Sequence, residues 1–293
     1  MHGDINKDLI IKSISQALDQ SIKRVSLKPI SGGSISQAFK MESSAGNFFI
    51  KINNGPSASK MFKTEAYCLK LLSTHSQFTI PKVITNFNDG GTSYVITDYI
   101  DSAPKSKNYW YDLAIYLAEL HQHSSSKFGL DDDNYIGSLL QKNTYCHDWP
   151  SFYPEMRILP MLVLAFEKGL IDMAFLKMAE AILPQITNLM PPEPPSLIHG
   201  DLWSGNLMVD KNGNPVLVDP AAYYGHREME IAFTRLFGGF SAKFYERYNE
   251  IMPLEVDFGN RVDLYNLYPL LVHLNLFGRG YFAQIKDIIA RFV

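Results

Sequence analysis

The sequence predicts an α+β protein with two lobes: a small N-terminal lobe of antiparallel sheet plus helix, and a large, mainly helical C-terminal lobe. Two observations carry this. The β-rich runs of the first half all fall within the first hundred of 293 residues, and the apolar pattern then turns helical from about residue 108. The change lies near Tyr99–Pro104, so the expected division is 1–101 and 102–293.

In order along the chain, DINKDLIIKSISQALDQS carries Ile10, Ile14 and Leu18 at helical spacing, with Asp4 as the expected cap. RVSLKPI, SQAFKMES and NFFIKIN are short β-rich runs and predict three strands. SASKMFKTEAYCLKLLSTHS predicts a helix whose inward stripe is Met61, Ala66, Leu69 and Leu72. KVITNFND and TSYVITDYI predict two more strands around the turn Asp89-Gly90-Gly91. Helices are expected over 108–123, 150–168 and 171–189, with a polar connection at 124–148. PPEPPS at 191–196 cannot continue a helix and serves as a stiff spacer. A hairpin follows, NLMVD, the turn KNGN, then PVLVDP, and from His226 the pattern is helical with breaks near Gly238-Gly239, Pro253 and Gly278.

Bulk composition excludes several classes. A net charge of −3 supplies no basic field for nucleic acid and no polybasic membrane patch. No stretch approaches the ~20 apolar residues that span a bilayer, and the N-terminus lacks the long apolar run of a signal peptide. Cys68 and Cys146 fit neither a disulfide framework nor a zinc spacing, so reduced thiols and a cytoplasmic protein are expected. His121 and His123 point apart on a helix end, which argues against zinc. Oligomeric state is not legible.

The chemistry gathers in LIHGDLWSGNLMVD, residues 197–210, where polar groups interrupt apolar flanks. Asp201, Asn206 five positions on, and Asp219 at the end of VLVD could share one mouth if the hairpin forms. Two hard oxygen ligands suit Mg²⁺ on a polyphosphate, because Mg²⁺ takes its other oxygens from phosphate and water. The spare carboxylate can then orient or accept a hydroxyl proton. The order His-Gly-Asp, Asn, Asp follows the protein-kinase catalytic loop, with Gly200 for Arg and Asp219-Pro220-Ala221 for D-F-G. The N-terminal lobe adds three matching pieces. Gly32, Gly33 and Ser34 form a turn between strands that lets backbone N–H groups approach phosphate. Lys51 lies on a strand where a cation reaches the α- and β-phosphates, and Glu65 on the following helix can pair with it. Each piece alone is also an ordinary surface feature; in this order they predict a phosphotransferase.

HGDLWSGN followed by DPAAYYGHREMEIA resembles the fructosamine kinase (ketosamine-3-kinase) family, relatives of the aminoglycoside and choline kinases. SGGSISQAFK, MFKTEAYCLKLL, DNYIG at 133–137 and HDWPSFYPEMRILPML resemble it too, so the likeness runs from about residue 20 to 280. The resemblance implies a protein-kinase-like two-lobed fold, ATP with Mg²⁺, and phosphorylation of the sugar O3 of small or protein-bound ketosamines, in deglycation. Carried over, Lys51 binds the phosphates, Glu65 orients it, and Asp98, Tyr99 and Ile100 lie in the hinge that touches adenine. Asp201 becomes the catalytic base, and Asn206 and Asp219 the metal ligands. Many members place Cys in the glycine loop where this chain has Ser34, which puts thiol-based control in doubt.

Several residues keep two readings. Trp203 is either a core indole or a face for the C–H groups of a polyol. Trp149, Phe152 and Arg157 either line the acceptor side or pack a helix. His199, His226 and Glu228 are expected to support the catalytic loop, Glu228 near a helix N-terminus. Two rival functions remain: a kinase for an amino alcohol or aminoglycoside, with GLDDDN at 129–134 as its acidic face, and a nucleotide-binding pseudokinase.

Overall fold

The computed structural model describes residues 5–30 and 35–292. Helix α1 (Lys7–Leu18) precedes three antiparallel strands, β1 (Ser26–Ile30), β2 (Gln37–Ser43) and β3 (Gly46–Asn53). Helix α2 (Ala58–His75) and strands β4 (Val83–Asp89) and β5 (Thr92–Asp98) complete an antiparallel sheet of order β1-β2-β3-β5-β4. The helix-strand order of this region is the one its periodicity predicts. Period-two alternation along β3 sends Phe48, Ile50 and Ile52 to one face, where they bury against Ile10 and Ile14 of α1. Phe49 and Lys51 therefore face the other way, toward a cleft.

Two details differ from expectation. Asn6 caps α1 by accepting from the Leu9 amide, and Asp4 lies outside the described residues. Met61 lines the cleft, while Ala58, Phe62 and Thr64 join Ala66, Cys68, Leu69 and Leu72 as the buried residues of α2.

The second lobe is mainly helical. It contains α3 (Tyr109–Gln122), a small hairpin β6 (Asn134–Ile136) and β7 (Leu139–Gln141), then α4 (Trp149–Phe152). A wide π turn (Tyr153–Ile158) joins α4 to α5 (Leu159–Glu167), and α6 (Met173–Asn188) follows. The hairpin lies inside the stretch expected to be only a polar connection. The expected helix over 150–168 is continuous but widened at its centre.

After the proline spacer come β8 (Ser196–Ile198), β9 (Leu207–Val209), β10 (Pro215–Leu217) and β11 (Tyr223–Gly225). β9 pairs with β10, and β8 with β11. Helices α7 (Arg227–Leu236), α8 (Ala242–Ile251), α9 (Phe258–Phe277) and α10 (Phe282–Ile289) finish the chain. The larger core is built around α9, where Leu264, Tyr265, Leu267, Tyr268, Leu270 and Leu271 are all buried. Among the described residues no helix is long and apolar enough to cross a membrane.

Candidate active site

The two paired strands β9–β10 and β8–β11 explain why the conspicuous residues of 197–219 converge. Their cross-links are tight: the Ala221 amide donates to the His199 carbonyl, and the Val218 amide to the Asn206 carbonyl. Gly200 stands between them at φ +81°, with room for no side chain: a Cβ there would lie 2.1 Å from the Ala221 carbonyl oxygen. The result is a cleft of about 600 Å³ that takes in Lys51, Glu65, Asp201, Asn206 and Asp219 together.

Lys51 reaches both sides of this cleft. Its Nζ lies 2.7 Å from Glu65 and 2.5 Å from Asp219. Burial would lower its pKa, but the Asp219 and Glu65 carboxylates outweigh that and raise it, so Lys51 stays charged. Burial, and to a lesser degree the charge of Asp219, raises Glu65. Asp219 sits at φ +55°, a left-handed conformation uncommon for Asp, which turns its carboxylate into the cleft.

Asp201 is held by Asn206, whose Nδ2 donates to the Asp201 Oδ2 at 2.8 Å and to its carbonyl at 2.9 Å. Burial raises the Asp201 pKa well above the usual carboxylate range, and the charges of Asp219 and Glu230 add to it. Because Asn206 spends its Nδ2 on Asp201, its Oδ1 remains an available acceptor. Asp219 likewise uses Oδ1 on Lys51 and keeps Oδ2. Two oxygens left over from fixed side chains are a donor set that fits a hard divalent cation completed by phosphate and water.

His199 and His226 share one device. His199 donates Nε2–H to the Val218 carbonyl and accepts the Asp201 amide at Nδ1. His226 donates Nε2–H to the Pro191 carbonyl and accepts the Glu228 amide at Nδ1. Each ring fixes the backbone two residues on, and burial lowers both pKa values, His226 to about 4. Glu228 is fully buried and bound by Arg261 at 2.8 and 2.9 Å.

Sequence reasoning missed Glu230. Its carboxylate accepts the amides of His199 (3.0 Å) and Gly200 (2.8 Å) and the His121 ring (3.0 Å). Burial would raise Glu230, but His121, His199 and the backbone N–H groups hold it below the usual range. An acid between the buried Met229 and Ile231 was the available signal.

One part of the cleft is lined by Ile30, Ala38, Phe62, Thr97, Met208 and Val218 together with Asp98, Tyr99 and Ile100. Gly32, Gly33 and Ser34 lie outside the described residues. Another part is lined by Tyr135, Ile136, Trp203, His273, Leu276 and Phe277. Trp203 is at the cleft wall, with its ring crossing Gly205, where a Cβ would meet the indole at 2.3 Å. Trp149 and Arg157, candidates for the acceptor side, are placed elsewhere. Trp149 is buried in a stack with Phe152 and Tyr153, and Arg157 is wholly enclosed, so neither lines the cleft. Asp131, Asp132 and Asp133 do not line it either.

A lysine bridging two carboxylates across a cleft, beside an Asp–Asn pair on a two-lobed kinase-like fold, defines the class: a phosphotransferase with an alcohol group as acceptor. The fructosamine kinase family model matches residues 6–293, and the chain belongs to that family. It is 38% identical over 269 residues to the chloroplastic protein-ribulosamine 3-kinase of Arabidopsis thaliana, covering 89% of this chain and 80% of that one. A Vibrio parahaemolyticus protein named "Probable ketoamine kinase" is 39% identical over 269 residues, covering 90% of this chain and 91% of its own. A crystal structure from Haemophilus somnus 129PT, of a protein named "Putative fructosamine-3-kinase", superposes with a TM-score of 0.88 at 28% identity, covering 97% of this chain and 96% of that one. The fold alone extends to an aminoglycoside phosphotransferase solved with AMP-PNP and hygromycin B, with a TM-score of 0.64 at 18% identity over 96% and 97% of the chains.

Proposed function

We propose that the protein transfers the γ-phosphoryl group of ATP to the sugar O3 hydroxyl of a ketosamine, a fructosamine or ribulosamine adduct, as a step in deglycation. The observation that carries this is the acid-poor, aromatic end of the cleft beside Asp201. Among the described residues the whole cleft is lined by four carboxylates, Glu65, Asp98, Asp201 and Asp219, all of them in the shared machinery or the hinge. A polycationic aminoglycoside would find no acidic wall there, whereas a sugar offers C–H faces that suit the Trp203 indole.

In this reading residues 1–101 hold ATP and 102–293 hold the acceptor and the catalytic loop. The amides of Asp98 and Tyr99 are already given to the Lys82 and Asn47 carbonyls. The adenine edge would therefore meet the hinge through the Ile100 amide and the second lone pair of the Asp98 carbonyl, whose other lone pair accepts the Thr97 hydroxyl. Lys51 binds the α- and β-phosphates, held in place by Glu65. Asn206 Oδ1 and Asp219 Oδ2 would hold Mg²⁺, which when bound neutralises phosphate charge. Asp201 orients the acceptor hydroxyl and takes its proton as the O–P bond forms and the bond from Pγ to the ADP oxygen breaks. Positioning and charge stabilisation supply most of the acceleration. Cys68 and Cys146 are free thiols, which suits a cytoplasmic setting.

The test is incubation with Mg·ATP and a panel of fructosamines, ribulosamines, choline and aminoglycosides, with the phosphorylated position read by ³¹P NMR. A ketosamine 3-phosphate is expected. Phosphorylation of choline or an aminoglycoside alone would replace the acceptor assignment, and no product with any of them would favour a nucleotide-binding role without chemistry.

A further inference from the structure

Arg157 is a buried cation with no carboxylate within ion-pair distance among the described residues. Its guanidinium lies 3.9 Å from the Tyr223 ring centroid and 4.6 Å from that of Phe152. It donates to the Lys142 and Met156 carbonyls and, at 2.8 Å, to Asn143 Oδ1. Leaving a charge in such a place is costly, and an apolar side chain of similar volume would often be no less stable. Something other than stability should account for it.

The hydrogen bonds beyond Asn143 supply that account. With its Oδ1 committed to Arg157, Asn143 must point Nδ2 at Asn134, whose Oδ1 accepts it at 3.0 Å. Asn134 Oδ1 also accepts from Gln141 Nε2 at 2.7 Å. Asn134 then has only Nδ2 left, and it donates to the Ala222 carbonyl at 2.9 Å; Gln141 Nε2 reaches the Ala221 carbonyl at 3.0 Å. Gln141 Oε1 is closed by the Tyr268 hydroxyl at 2.7 Å. Arg157 can only donate and the backbone carbonyls can only accept, so every amide between them has one permitted orientation.

The far end of this chain is the active site. Ala221 and Ala222 follow Asp219 by two and three residues, and the Ala221 amide binds the His199 carbonyl. Asn134 begins the strand whose residues Tyr135 and Ile136 line the acceptor end of the cleft. We infer that Arg157 is a positioning residue for the transfer: through Asn143, Asn134 and Gln141 it sets the backbone behind Asp219 and the acceptor wall in one register. This rests on the kinase reading above.

The test compares Arg157→Lys, which keeps the charge and loses the planar fork, with Asn134→Ala and the double variant. Expected for each single variant is a fall in kcat of roughly 10- to 100-fold, the scale of an ångström-sized misplacement, with a raised acceptor KM. Binding of a non-hydrolysable ATP analogue measured without Mg²⁺ should stay within about twofold, because the hinge lies outside the chain of bonds and no metal then draws on Asp219. The double variant should lose about as much as the worse single one, since both cut the same relay. Three results would overturn the inference: unchanged kinetics in Arg157→Lys, losses that multiply in the double variant, or analogue binding that falls in step with kcat and melting temperature. The side-chain amide NMR signals of Asn134, Gln141 and Asn143 give a readout without turnover. They should be slow to exchange in the wild type and fast in Arg157→Lys. If the wild type phosphorylates no ketosamine, the functional reading fails; if amide exchange is the same in both proteins, the relay fails.

Discussion

Lys51 and Arg157 are both cations inside the protein, and they are stabilised by opposite means. Lys51 lies between two carboxylates, 2.7 Å from Glu65 and 2.5 Å from Asp219, on a strand face open to the cleft. Arg157 has aromatic rings, carbonyls and one amide oxygen, and no opening to solvent. A lysine ammonium is a point charge that can serve a phosphate when its partners release part of it, and it needs acids nearby to stay protonated when buried. A guanidinium never loses its proton in a protein and presents a rigid donor fork, so it can dictate hydrogen-bond direction without any acid. One charge is placed for chemistry and the other for geometry.

The largest test lies between them, at the group both would serve. Asp201→Asn should lower turnover roughly 10²- to 10⁴-fold, the usual worth of a general base, while ATP-analogue binding measured by calorimetry stays near the wild type. Near-normal turnover would remove Asp201 from the role and leave the two cations with no common task. Lys51→Met comes next: a loss of roughly 10²- to 10³-fold in kcat is expected, as for removal of one charge-stabilising donor. Here analogue binding should weaken as well, which separates it from Arg157→Lys. Equal effects on nucleotide affinity from both substitutions would break the distinction between chemical and geometric charge.

Glu230 tests the same distinction with an anion. It serves two backbone amides and a histidine, and it is buried almost as fully as Arg157. Glu230→Gln sets an NH₂ group against a donor, and hydrogen bonds to a charged group are worth about 1.5–3 kcal/mol each. A lower urea midpoint and a lower kcat should therefore appear together. Normal stability with low turnover would mean Glu230 acts on the chemistry more directly than its contacts indicate.

The contrast also explains what the sequence disclosed. Lys51 and Glu65 were legible because strand and helix periodicity place them, and His-Gly-Asp with Asn206 and Asp219 was legible because the spacing implies a hairpin. Arg157 keeps two readings in the sequence, acceptor wall or helix packing, and the fold encloses it away from the cleft lining. Its partners Asn134, Gln141 and Asn143 sit in a polar stretch that patterns like a loop, and an amide's hydrogen-bond direction leaves no periodicity. Glu230 escaped for the related reason that its partners, at positions 121, 199 and 200, are distant in sequence. Trp203 kept two readings until the fold set its ring across Gly205 at the cleft wall.

The smallest expected effect concerns His226, whose ring centroid is 5.6 Å from that of Trp149, itself stacked on Phe152 beneath the Arg157 guanidinium. Unlike arginine, this ring can shed its proton, and burial makes it do so: its pKa falls from 6.5 to about 4. Charging it would need a proton on Nδ1, which already accepts the Glu228 amide. The groups around it divide in sign: Glu193 at 3.8 Å and Glu228 favour the charged ring, while Arg227 and Arg261 oppose it. Because the folded pKa lies below the unfolded one, the unfolded chain binds the proton first as pH falls. The stability this neutral ring contributes is therefore present above pH 6.5 and is lost between about 6.5 and 4, amounting to about 2 kcal/mol by pH 5. Unfolding free energies from urea titrations at pH 7 and pH 5 check this, and the drop between them should be smaller in His226→Gln than in the wild type by about that amount. An equal drop in both proteins would mean that His226 protonates as readily folded as unfolded. Titratability would then no longer explain why position 226 takes a histidine where a nearby buried position takes an arginine.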